Sequence, residues 1–190
     1  IVEGYTDVMA CHLAGVTTAV ATCGTAFGDD HARVLRRFLH DDETRGEVIF
    51  TFDGDAAGQK AAIKVFQSDQ TFSSQTYVAV APDGLDPCDL RLQQGDQAVR
   101  DLIESKLPLY RFALDNILAG YDLDRADGRV DALRASAPLV SSIRDKAKVE
   151  AFTRELALMI GVDIDEARSE IRRAAKRPAG RTPAGSAGGD

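Results

Sequence analysis

The sequence predicts an α/β fold, a mostly parallel sheet flanked by helices and followed by a small helical bundle. Three observations carry this. Over residues 1–106, short β-rich runs alternate with helical patterns, the order that builds parallel strands joined by crossover helices. From Pro108 onward, apolar residues recur only at helical spacing. The chain has 190 residues, 44% of them hydrophobic, enough for one medium core with a small appendage. It holds no uninterrupted apolar run of about eighteen residues that would cross a membrane, and no secretory leader pattern, so a soluble, cytoplasmic protein is expected.

Ile1 and Val2, running into Glu3, read as the end of a strand. The chain opens there without a Met, so it is expected to be a piece of a longer protein. Residues 7–14, closed by Gly15, form the first helical pattern, 18–21 a second strand, and the Gly28-Asp29 pair opens a helix over 29–39. Residues 48–52 are a third strand, 56–66 a helix and 76–80 a fourth strand. Asp86-Pro87 is an N-cap with Pro at the first helical position; it begins a helix near 87–93, and another follows near 96–106. Leu109, Phe112, Ala113 and Ile117 then share a helical face, as do Val130, Leu133 and Ala137, and Ile143, Ala147, Phe152, Leu156 and Met159. Asp163 with Glu166 makes a capping-box-like start to a last helix ending near Ala175. The tail is rich in Pro, Gly, Ala and Ser. The expected division is a 1–106 α/β core, a 107–175 helical part and a 176–190 flexible linker.

The net charge of −7 is unevenly spread. Residues 1–106 carry 17 acidic and 9 basic side chains, whereas 107–190 carry 13 and 14. An acidic half repels phosphate unless it holds divalent cations that bind phosphate in turn. Cys11, Cys23 and Cys88 form no CxxC pair and no zinc spacing, so they read as buried reduced thiols. His12, His31 and His40 lack a partner pattern and receive no role.

The acidic residues cluster just past strand ends, the edge where open α/β sheets bind ligands. In Phe52-Asp53-Gly54-Asp55-Ala56-Ala57-Gly58, two carboxylates flank a Gly whose backbone freedom lets both turn toward one small cation. Mg²⁺ or Mn²⁺ suits such oxygen ligands, keeping several waters and the phosphates of a substrate. The alternative is a polar turn in which either Asp caps the next helix. Glu3-Gly4-Tyr5-Thr6-Asp7 adds Glu3 at a strand end, and Asp7, which fits a helix cap or a water-mediated contact with the cluster. Carboxylates gathered this closely repel one another unless a cation lies between them. Pro82-Asp83-Gly84-Leu85-Asp86-Pro87-Cys88-Asp89 brings a third acidic group; Asp86 fits both an N-cap and a ligand to a second metal, and Asp83-Gly84 also reads as a turn.

The order strand–EGYTDV, strand–ATCGTAFG, strand–FDGDAAGQKA, strand–PDGLDP resembles the toprim core of bacterial replicative primases over residues 1–106. The stretch to about residue 175 is similar to the helical subdomain that follows it. The resemblance implies a toprim-type sheet and a DNA-dependent RNA polymerase that makes primers by nucleotidyl transfer from ribonucleoside triphosphates on a single-stranded DNA template. It implies a metal-binding triad of Glu3, Asp53 and Asp55, with Glu3 also an acid/base, and two or more Mg²⁺ or Mn²⁺ ions. Asp86 is implied as a further ligand, and Asp7, Asp83, Asp89, Gly24 and Thr25 as neighbours of the site. Cys88 stands where the family carries an Asp. The family's basic template-binding region and its helicase-binding domain are expected outside this chain, so the fragment is expected to bind metal but to be inactive alone. Arg172, Arg173, Lys176, Arg177 and Arg181 fit either nucleic-acid contact or a solvated helix end with a favourable dipole. Two other readings stay open: another toprim enzyme, topoisomerase or nuclease, or a non-catalytic acidic binding module.

Overall fold

The computed structural model of the protein describes residues 1–24, 27–39, 46–52, 75–143 and 145–176. The expected helix over 56–66, both Asp53 and Asp55, Thr25 and the tail beyond Lys176 lie outside the described residues. Two compact units divide the chain, Ile1–Ala119 and Gly120–Asp190.

In the first unit, β1 (Glu47–Phe52) pairs parallel with β2 (Gln75–Val80), Phe52 standing level with Val80. β3 (Leu107–Pro108) adds to β2 antiparallel, with Leu107 opposite Val78. The expected N-terminal strands contract to single ladder steps. Val2 bridges Ala21 in parallel, with Val2 N–H donating to Val20 O at 2.9 Å and Thr22 N–H to Val2 O at 3.1 Å. On its other side, Ile1 N donates to Ile49 O at 2.5 Å and Ile1 O accepts Thr51 N–H at 2.9 Å, which sets Ile1 level with Phe50. The backbone order is therefore 20–22, 1–3, β1, β2, β3, and all but β3 run parallel.

α1 (Tyr5–Leu13), α3 (Pro87–Gln94) and α4 (Asp96–Glu104) pack together on one face of this sheet. Their core joins Cys11, Ala14, Leu90, Val99 and Leu102 to Val2, Ala79 and Ala81. Strand alternation turns Val48 and Phe50 to the opposite side, where Phe50 meets Phe27 edge-on at 4.8 Å just ahead of α2 (Asp29–Leu39). α5 (Leu109–Leu118) contacts β2 and β3, which is why the first unit continues to Ala119.

In the second unit, α6 (Ala126–Ser141), α7 (Lys146–Ile160) and α8 (Ile164–Lys176) pack pairwise around Leu133, Ala137, Val140, Leu156, Ile160, Ala167 and Ile171. Asp145 caps α7, accepting Ala147 N–H at 2.8 Å, and Gly161 closes it in the left-handed conformation at φ 76°. Asp163 Oδ1 accepts Asp165 N–H at 2.7 Å at the head of α8. No helix among the described residues is long and apolar enough to cross a membrane.

Candidate metal centre

The parallel ladder fixes where the strand ends fall. With Ile1 level with Phe50, one residue more on each side brings Val2 to Thr51, and the next brings Glu3 to Phe52, the residue before Asp53. Phe52 is in turn level with Val80, after which the chain leaves the sheet through the turn Pro82–Gly84. Cys23 N–H donates to Glu3 O at 3.0 Å, so the segment bearing Cys23 and Gly24 borders Glu3 from the other side. These two residues take positive φ, 56° and 80°, a sharp reversal that Gly24 makes without strain.

At this edge, a cleft of about 70 Å³ is lined by Glu3, Asp7, Thr51, Ala81, Leu85, Asp86, Pro87 and Leu102. Three carboxylates from two segments, residues 3–7 and the head of α3, thus line one small space. Glu3 is exposed at the strand end. Asp7 is 5% exposed; its Oδ2 accepts Gly4 N–H at 3.0 Å. Asp7 therefore serves α1 from inside its first turn, not as the residue before it, and the helix begins at Tyr5 behind Gly4, ahead of the expected start. Asp86 is the N-cap of α3, its Oδ1 accepting Asp89 N–H at 2.6 Å. A cap occupies one face of a carboxylate and leaves the other oxygen for a second task.

Asp83 and Asp89 do not line the cleft; both are exposed, and Asp83 sits in the turn with φ 58°. Gly24 lies nearby through Cys23 but is not part of the lining. Thr51 and Leu102 line it and were not anticipated. The signal for Thr51 was a hydroxyl in the otherwise apolar run Val48-Ile49-Phe50-Thr51-Phe52.

Local electrostatics follow the acid. The Cys88 thiol is pushed up by burial first, then by Asp86, Asp7 and Asp89. The Cys11 thiol is likewise pushed up by burial and, more weakly, by Asp7. Cys88 does not line the cleft. Among the described residues, no three His, Cys, Asp or Glu side chains stand close enough together to hold a metal ion. The donors that do line the cleft, carboxylates and one hydroxyl, are hard oxygens suited to a divalent ion such as Mg²⁺ or Mn²⁺.

Comparison with known proteins finds similarity along most of the chain. The family described as the toprim domain matches residues 1–82, and the DnaB-helicase binding domain of primase matches 110–165. The latter places a helicase-binding type of segment inside the chain, where it was expected beyond it. The DNA primase of Streptomyces coelicolor is 59% identical over 162 residues, covering 85% of this chain and 25% of that protein. That of Mycobacterium tuberculosis is 53% identical over 179 residues, covering 93% and 28%. The chain spans about a quarter of the length of these curated relatives. Among solved structures, the RNA polymerase domain of the M. tuberculosis primase bound to double-stranded DNA superposes with a TM-score of 0.74 at 55% identity, over 85% of this chain and 51% of that one. A DNA primase domain from Pseudomonas aeruginosa gives a TM-score of 0.74 at 27% identity, over 90% and 53%.

Proposed function

We propose that this chain, similar to bacterial DNA primases at 53–59% identity, carries the metal-binding catalytic centre of a DNA-dependent RNA polymerase that makes primers for DNA replication. The observation that carries this reading is the cleft at the carboxyl edge of the parallel sheet, lined by Glu3, Asp7 and Asp86 beside the strand that leads into Asp53. The reaction is nucleotidyl transfer: a 3′-hydroxyl attacks the α-phosphate of a ribonucleoside triphosphate, and pyrophosphate leaves. Glu3, Asp53 and Asp55 hold and orient two or more divalent ions, Mg²⁺ or Mn²⁺, and Asp86 contributes from the N-terminus of α3. Bound there, such ions would activate the attacking oxygen and offset charge on the phosphates. The protein's own part is geometric. The ladder sets the height of Glu3, the Gly4 cap fixes Asp7 against it, and Asp86 is pinned by the helix it starts.

Asp83, Asp89, Gly24 and Thr25 form the surroundings of this centre. The cytoplasm is the compartment that suits replication on a single-stranded template. Residues 110–165 contact the replicative helicase, and the toprim and helical parts act as separate modules, with 176–190 as a linker. The chain spans only part of its relatives, so primer synthesis is expected to need the remainder of the protein.

Calorimetric titration with Mn²⁺ tests the proposal. Wild-type protein is expected to bind, and Asp53→Ala to weaken binding by more than about a hundredfold, beyond the usual effect of losing a metal's outer neighbours. Equal binding by both would defeat the assignment. Primer synthesis by the 190-residue chain alone would contradict the need for the remainder.

A further inference from the structure

We propose that Thr51 is a positioning residue: its hydroxyl fixes the strand that carries Glu3, and so sets the geometry in which Glu3 meets the metal. The proposal rests on the reading of Glu3 as a metal-binding carboxylate and deepens it.

Thr51 is the one hydroxyl side chain in β1. It is 7% exposed, yet it lines the cleft together with Glu3, Asp7 and Asp86. Two of its donors converge on a single acceptor. Thr51 N–H reaches Ile1 O at 2.9 Å, and Thr51 Oγ1 donates to the same oxygen at 3.1 Å. The backbone bond is what any residue in a parallel ladder supplies. The hydroxyl bond is specific to Ser or Thr at this position.

Gly4 turns the chain into α1 directly after Glu3, so the direction of the Glu3 side chain follows the run of the backbone at Ile1 and Val2. Ile1 lies two residues from Glu3 along an extended segment, so a small shift or tilt at its carbonyl carries to the Glu3 side chain. Groups that orient a metal ligand without touching the metal commonly change affinity by about tenfold or more. Thr51 makes the tie from the cleft wall itself, one strand residue short of Phe52 and two short of Asp53. One residue thereby couples the strand of Glu3 to the strand that leads into the other two acidic groups.

The test compares the 190-residue wild type with Thr51→Val and Thr51→Ser. Mn²⁺ affinity is read by calorimetry, with thermal unfolding and amide hydrogen exchange of Val2 and Cys23 measured without metal. Thr51→Val keeps the shape and removes the hydroxyl; it is expected to bind Mn²⁺ about tenfold more weakly, with faster exchange at those amides and little change in melting temperature. Thr51→Ser is expected to restore affinity to within about twofold of wild type. Thr51→Ala stands in for the Val variant should that one fail to fold. Wild-type affinity in the hydroxyl-free variant, or equal loss in the Ser variant, overturns the role of Thr51 while leaving the metal centre intact. No Mn²⁺ binding by the wild type overturns the metal reading itself, and this role with it.

Discussion

Asp86 carries two duties that single substitutions can pull apart. Its Oδ1 accepts Asp89 N–H at the head of α3, while the residue also lines the cleft. Asn caps helices as well as Asp does, so Asp86→Asn is expected to keep the melting temperature and lower Mn²⁺ affinity. Asp86→Ala should do both kinds of damage, with a stability loss of about 1 kcal/mol from the missing cap. Unchanged metal affinity in the Asn variant would leave Asp86 a cap alone. Asp7 is different: buried and bonded to Gly4 N–H, it is structural first, and Asp7→Ala should lower stability by about 1–2 kcal/mol in thermal unfolding. Glu3 and Asp86 were legible as lining residues because each lies past a strand end, beside Gly or Pro, on the edge where such sheets bind ligands, and Asp7 because it follows Glu3 by four residues. Thr51 was harder to see, since its signal is one hydroxyl whose partner lies fifty residues away in sequence. Asp53 and Asp55 carried the strongest sequence signal and lie outside the described residues.

At the level of elements, local chemistry was a reliable guide where it was strong. Gly28-Asp29 and Asp86-Pro87 mark the starts of α2 and α3, and the structure begins both helices there. Elements fixed by distant pairing were not readable from local pattern. β3 is two residues long, too short to show alternation, and exists only because β2 offers it an edge. The 18–21 run reads as an ordinary strand but forms a single ladder step, Ala21 with Val2. In the second unit, Gly128 allows a close approach within the first turns of α6: a Cβ there would stand 1.9 Å from Asp122 O. Gly128→Ala is therefore expected to lower the melting temperature of the chain, at a cost of about 1–3 kcal/mol from overpacking. α7 and α8 are joined by Glu150 and Arg168, whose guanidinium holds the Glu150 carboxyl below the usual glutamate range. A carboxyl lowered on folding stabilises above its unfolded value, and the contribution is lost as pH falls through the lowered one. Acid unfolding of Glu150→Gln should accordingly be less steep over that range than that of wild type.

For the molecule as a whole, composition pointed to charge before function: an acidic first half and a balanced second half. Acidity alone does not distinguish a metal enzyme from a solvated rim. The parallel order of segments narrows the choice by bringing Glu3, Phe52 and Val80 to one height at the carboxyl edge of the sheet. The relatives at 53–59% identity then favour primase over the other toprim enzymes. The compact first unit runs on to Ala119 because β3 and α5 rest on β2, a contact that no helical periodicity announces.

The central claim is that carboxylates from separate strand ends share a divalent ion. Anomalous diffraction from crystals soaked in Mn²⁺ tests it most directly. A peak is expected at roughly 2.0–2.4 Å from carboxylate oxygens of Glu3 and of Asp53 or Asp55, the separation oxygen ligands keep from small divalent ions. Peaks only at other surface sites, or none with Glu3 standing apart from both aspartates, would contradict it.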